Sequence, residues 1–129
     1  MLDSNYDVIS ELLPDYEQTD CPISVKYYSI FKEKNTGKFY IRLTFINVGK
    51  VQIVAFKSKI TCLDSLGELV DQNNSIISFT FQDLAFPAKS EFRSNLISIN
   101  DLFNTRKLRV MIEKALNSDG SEWVNICDN

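Results

Sequence analysis

The chain of 129 residues contains no histidine. Serine and cysteine nucleophiles therefore lack their usual imidazole base. Only four glycines are present, and no glycine-rich phosphate loop or dinucleotide fingerprint can be read among them. The three cysteines, Cys21, Cys62 and Cys127, have no metal-ligand spacing. Asp64, Asp101 and Asp119 sit in turn-like contexts without the Asp-x-Asp spacing of a calcium loop, and they read as turn or capping residues. No two carboxylates stand out as a glycosidase pair. No apolar run approaches the roughly 18 residues of a membrane span. The acidic start has no basic segment of the signal-peptide type. An odd cysteine count without a secretion signal points to reduced thiols in a cytoplasmic setting. No cofactor and no metal are expected.

Basic residues are missing from one region altogether. Residues 1–20 carry Asp3, Asp7, Glu11, Asp15, Glu17 and Asp20 but neither lysine nor arginine, a charge of −6. The whole chain is −3, so residues 21–129 carry +3. That body is too weakly basic to make nucleic acid the expected partner.

A hydrophobic content of 44% over this length fits one globular domain with a core of its own. Its organising stretch is Phe39 to Asp64. Phe39, Ile41, Leu43 and Phe45 alternate with Tyr40, Arg42 and Thr44, and Val54, Phe56, Ser58, Ile60 and Cys62 alternate with Ala55, Lys57, Lys59 and Thr61. Period-2 alternation of this kind predicts two strands, each with one buried face. Asn47 to Lys50, with its Asn and Gly, predicts a tight turn joining them as a hairpin. Cys62 falls on the apolar face and reads as a buried free thiol.

Upstream, Leu2, Tyr6, Ile9 and Leu13 follow helical spacing, and Pro14 would end the helix. Residues 1–20 are thus expected as an acidic amphipathic helix and polar linker, and 21–129 as the body. Ile23, Val25, Tyr27, Ser29 and Phe31 predict a first body strand sharing one face. Further strands are expected at Ile76 to Phe81, at Glu91 to Ile99 with a bulge, at Lys107 to Leu116, and at Ser121 to Ile126 after the Asp119-Gly120 turn. Trp123 should close the core. About seven strands at this spacing predict an all-β, immunoglobulin-like antiparallel sandwich.

The series Ile23, Gly37, Phe39-x-Ile41-x-Leu43-x-Phe45-x-Asn47, Ile60-x-Cys62-x-Asp64-x-x-Gly67, Asp83-Leu84, Thr105-Arg106-Lys107, and Asp119-Gly120-Ser121-x-Trp123 resembles small immunoglobulin-like sandwich domains of Gram-positive bacteria. The resemblance spans residues 21–126. It implies the fold and no catalytic residues.

Two sets of candidate binding residues follow. Tyr6, Ile9 and Leu13 on the helix stripe, with Ile46, Ile53 and Met111 on outward strand positions beside Ala55, would form an apolar partner surface. Arg42, Lys57, Lys59 and Arg109, with Tyr40 nearby, should project from outward faces as a charged surface, against which the acidic helix could lie. Lys at Ile53 is expected to leave the fold intact. The function these features suggest is non-enzymatic protein–protein interaction, by self-association or as an adaptor, immunity or chaperone-like partner of another bacterial protein. The alternative is a small-ligand or carbohydrate-binding sandwich at the cell surface, which would need exposed aromatic platforms.

Overall fold

The computed structural model describes residues 5–12, 18, 20–71, 75–100, 102 and 104–125. Among these described residues nine strands alternate with turns: β1 (Tyr6–Leu12), β2 (Ile23–Glu33), β3 (Phe39–Asn47), β4 (Ile53–Leu63), β5 (Ile76–Phe81), β6 (Glu91–Arg93), β7 (Ile97–Asn100), β8 (Lys107–Asn117) and β9 (Glu122–Val124). They form two antiparallel sheets. Sheet A has the order β1-β2-β3-β6, with β7 also on β3; sheet B has the order β5-β4-β8-β9. No helix is present among the described residues.

From Phe39 to Phe45 and from Phe56 to Cys62 the alternation places its side chains as expected, whereas Val54, expected on the buried face with Phe56, sits in a bulge and is only half-buried. Phe39, Ile41, Leu43 and Phe45 are at most 5% exposed on the inner face of sheet A, and Phe56, Ile60 and Cys62 are at most 2% exposed on the inner face of sheet B. Burying each large apolar side chain contributes about 1.5–3 kcal/mol relative to exposure. The phenylalanines Phe45, Phe56, Phe81, Phe86 and Phe92 form one aromatic cluster with ring centroids 4.8–6.3 Å apart.

The expected hairpin does not form: β3 and β4 lie in different sheets. The link between them is an arch organised by Asn47, which is fully buried. Its Nδ2 donates to the carbonyls of Val51 (2.9 Å) and Phe86 (3.1 Å), and its Oδ1 accepts from Gly49 N–H at 3.0 Å. Gly49 is tightly seated there, since a Cβ would lie 3.3 Å from that same Oδ1. A hairpin and an arch give the same alternation, because either can present both apolar faces to a common core. What separates them is a buried side-chain amide that satisfies the arch carbonyls.

The N-terminal helix is likewise replaced by strand β1. Tyr6–Leu12 pairs antiparallel with Tyr28–Glu33 of β2, with a bulge between Val8 and Ser10. Val8 is 54% exposed while its neighbour Ile9 packs against the core. The bulge breaks period 2, so the apolar residues fall at helix-like spacing. A helix of about 12 residues is marginal by itself, whereas the free edge of β2 satisfies the backbone of β1 at once. Leu2, Leu13 and Pro14 lie outside the described residues.

A second bulge, between Val25 and Tyr27, corrects the face assignment of β2. Ile23 faces the core before it. After it Tyr28 and Ile30 face inward, and Phe31 turns to the outer side beside Tyr40. The remaining elements follow the sequence. The segment 91–100 is interrupted into β6 and β7, with Ser94 Oγ accepting from Leu43 N–H at 3.0 Å. Asp64 Oδ1 accepts from Leu66 and Glu68 N–H at 2.8 and 3.0 Å, and Gly120 turns β8 into β9 with φ +89°. Trp123 packs against the core.

Candidate functional site

The outer face of sheet B follows from the register of β4. Because Phe56, Ser58, Ile60 and Cys62 point inward, Lys57, Lys59 and Thr61 point outward. Across the ladder, Lys59 stands opposite Met111, Thr61 opposite Arg109, and Leu63 opposite Lys107. Three of the four residues expected to form a charged surface, Lys57, Lys59 and Arg109, thus share one face. A bulge in β8 at Glu113 adds Lys114, which is paired with Lys57. Glu113 carboxylate lies 3.5 Å from Lys57 Nζ, and Glu122 lies 3.4 Å from Lys114 Nζ. These are exposed pairs worth about 0–1 kcal/mol each. Lys59, Lys107 and Arg109 have no carboxylate within salt-bridge distance among the described residues. Five cations against two carboxylates give this face a net charge of three positive, so the remainder of a chain of formal charge −3 carries six net negative.

The face carries a hollow. A cavity of about 250 Å³ is lined by Ala55, Phe56, Lys57, Thr80, Lys114 and Leu116, together with Glu122. Its floor is apolar and its rim is charged.

Arg42 lies on the opposite side of the sandwich. It projects from the outer face of sheet A, with its guanidinium carbon 6.0 Å from the centre of the Phe31 ring. Its Nε is buried without a hydrogen-bond partner. It therefore does not join the other three.

The expected apolar surface does not assemble. Tyr6 stands on sheet A with its ring edge-on to Tyr40 at 5.9 Å. Ile46 is half-buried on the outer side of the same sheet, beside Glu91. Ile9 packs against the core. Ile53, expected on a wet face, is fully buried, because a bulge between it and Ala55 rotates it inward. Its backbone pairs with that of Phe86, at 2.9 and 3.2 Å. Met111 alone of this set joins the cationic face. Leu13 lies outside the described residues.

Besides Lys114, which the β8 bulge brings to this face, two features went unread in the sequence. Lys107 follows the parity of Arg109 and could have been assigned with it. Gln18, inside the stretch expected to be a polar linker, binds the backbone of β8: its Nε2 donates to the Ile112 carbonyl at 2.8 Å, and its Oε1 accepts from Ile112 N–H. Here β9 has ended, and one side-chain amide replaces a neighbouring strand. No spacing rule signals this.

Beside Gln18 is a second cavity of about 240 Å³, lined also by Cys21, Ile23, Val25, Val110 and Ile112. Burial pushes the Cys21 thiol up to about 11, against a smaller opposing effect of its hydrogen bond with the Ile23 backbone. Burial also raises Cys62, partly offset by the Thr105 hydroxyl. Neither thiol is held as the reactive thiolate. Cys127 lies outside the described residues. Among the described residues, no group of three or more Cys, Asp or Glu converges as a metal site, and no helix is long and apolar enough to cross a membrane. Comparison of the chain with protein-family models, with curated proteins and with solved structures finds no match in any of the three.

Proposed function

We propose that this chain is a non-enzymatic protein-interaction module that docks an acidic partner protein on the outer face of sheet B. The observation that carries the reading is the convergence of Lys57, Lys59 and Arg109, with Lys107 and Lys114, on one face of a net-acidic chain. Complementary charge of this kind speeds encounter and selects partners. The lack of any histidine and the burial of both described thiols support a role without nucleophilic chemistry. The free thiols Cys21 and Cys62 support a reducing, cytoplasmic setting.

The strand order supports an immunoglobulin-like assignment. With β2 as the first strand of that topology, β2, β3 and the interrupted β6/β7 make one sheet, and β5, β4, β8 and β9 make the other. Labelled in that scheme, the two sheets would be A-B-E, without a D strand, and C′-C-F-G. β1 is then an added strand in front. The carbohydrate-binding alternative has less support: Trp123 packs on the core, and Phe56, the aromatic lining the 250 Å³ hollow, is 2% exposed and offers no stacking platform.

The test is binding of fluorescein-labelled poly-L-glutamate at increasing salt. Binding should weaken as ionic strength rises. Lys59→Glu with Arg109→Glu should reduce affinity at least tenfold, and Arg42→Glu should not. Equal loss from both variants, or no binding by the wild type at low salt, would sink the reading.

A further inference from the structure

The edges of the two sheets are guarded unequally. β1 carries Asp7 and a bulge. The β6/β7 edge is interrupted at Ser94–Leu96. β9 is three residues long, and Gln18 occupies the β8 backbone near it. Charges, bulges and short strands are the usual devices that stop an edge from recruiting another strand. β5 has none of them. Ser75 to Gln82 contains no charge, proline or glycine, and all six of its residue pairs with β4 run without a shift.

Its hydrogen-bonding row can be assigned. Cys62 N–H donates to the Ser75 carbonyl at 2.8 Å, and Ser58 Oγ donates to the Phe79 carbonyl. In an antiparallel ladder both backbone groups of a residue point the same way, and they alternate along the strand. Ile77, Phe79 and Phe81 therefore bond β4, while the amides and carbonyls of Ile76, Ser78 and Thr80 point outward. All three outward residues are exposed, with Ile76 at 53%.

We propose that the free edge of β5 receives an extended acidic strand of a partner protein, which pairs with the backbone of Ile76, Ser78 and Thr80. This rests on the interaction-module reading and gives it a docking mode. Main-chain bonds would supply affinity, and alternate side chains would supply selectivity. The charge requirement comes from β4, where Lys59 and Lys57 stand next to Ser78 and Thr80 on the same face. An added strand sits two strand spacings from β4, about 10 Å. Long lysine side chains can lean across that gap toward Asp or Glu at every second position. Lys59 has no carboxylate partner among the described residues. The same cations disfavour a second copy: joining β5 to β5 would set both lysine rows on one continuous face.

The experiment selects random dodecapeptides displayed on phage against the full chain, then measures synthetic versions by fluorescence anisotropy. Selected peptides should alternate β-branched residues with Asp or Glu. Ser78→Pro deletes one outward N–H and leaves the β4 ladder whole, as edge positions allow. It should weaken binding at least tenfold, and Ser78→Ala should not. Lys59→Glu should weaken it comparably. In the wild type, the amides of Ile76, Ser78 and Thr80 should exchange rapidly when free and become protected with peptide. Should Ser78→Pro fail to fold, Thr80→Pro and the exchange pattern carry the same test. Peptides that bind Ser78→Pro as well as wild type overturn the edge proposal; if they still require Lys57 and Arg109, the docking face survives without it. No enrichment of any peptide overturns it, as does a wild-type dimer that Ser78→Pro converts to monomer.

Discussion

Phe45 of β3 and Phe56 of β4 meet edge to face across the two sheets, with centroids 4.8 Å apart and planes at 74°. They are only eleven positions apart in the chain and both are buried. This contact joins the layers and fixes which side of β4 is left for the cations. Either phenylalanine changed to Ala should cost about 3–5 kcal/mol in chemical unfolding. A double-mutant cycle should show a coupling of about 0.5–1.5 kcal/mol. Strict additivity would mean that the rings do not touch.

Asn47 holds the arch that separates β3 from β4. Asn47→Ala removes bonds to the Val51 and Phe86 carbonyls and the Gly49 amide. Leaving buried backbone groups unsatisfied should cost roughly 2–4 kcal/mol, and Asn47→Asp should not restore it, since a carboxylate cannot donate. A melting temperature within a degree of wild type would show the arch to be held otherwise.

Ile53 separates the two readings of the β4 entry. On an outward face, Lys would be tolerated there; fully buried as it is, Ile53→Lys should abolish cooperative unfolding or lower stability by more than about 4 kcal/mol. The matched outward control, Ala55→Lys, should change stability by less than about 1 kcal/mol. Circular dichroism melts decide between them.

Cys21 makes stability pH-dependent above neutrality. Its folded-state thiol is raised from 9.0 to about 11, so the folded state binds the proton more tightly than the unfolded state. Its contribution is fully present below about pH 9 and is lost as pH rises toward 11. The stability gap between wild type and Cys21→Ala should therefore shrink across that window, by on the order of 2 kcal/mol. A gap constant from pH 8 to 11 would contradict the burial of this thiol.

Strands with unbroken alternation, such as Phe39–Phe45 and Phe56–Cys62, were legible because period 2 has one physical meaning. So was the outward projection of Lys57, Lys59 and Arg109. The hairpin was not separable from an arch, because Asn and Gly suit either; the difference is the burial of the Asn47 amide. β1 was misread as a helix, and Ile53 and the later half of β2 were placed on the wrong face, for one shared reason: each lies at a bulge, and a single extra residue inverts every parity beyond it. Lys114 was missed for that same cause. Gln18 left no pattern, since a lone side chain standing in for a strand has no periodicity.

The most direct test of the docking face is an amide NMR titration with the octapeptide (Thr-Glu)4 at low salt. Shifts should concentrate at Lys57, Lys59, Arg109 and Met111 and at the β5 edge around Ser78, and should leave Tyr40 and Arg42 unmoved. Shifts centred on the outer side of sheet A, or none up to millimolar peptide, would contradict it.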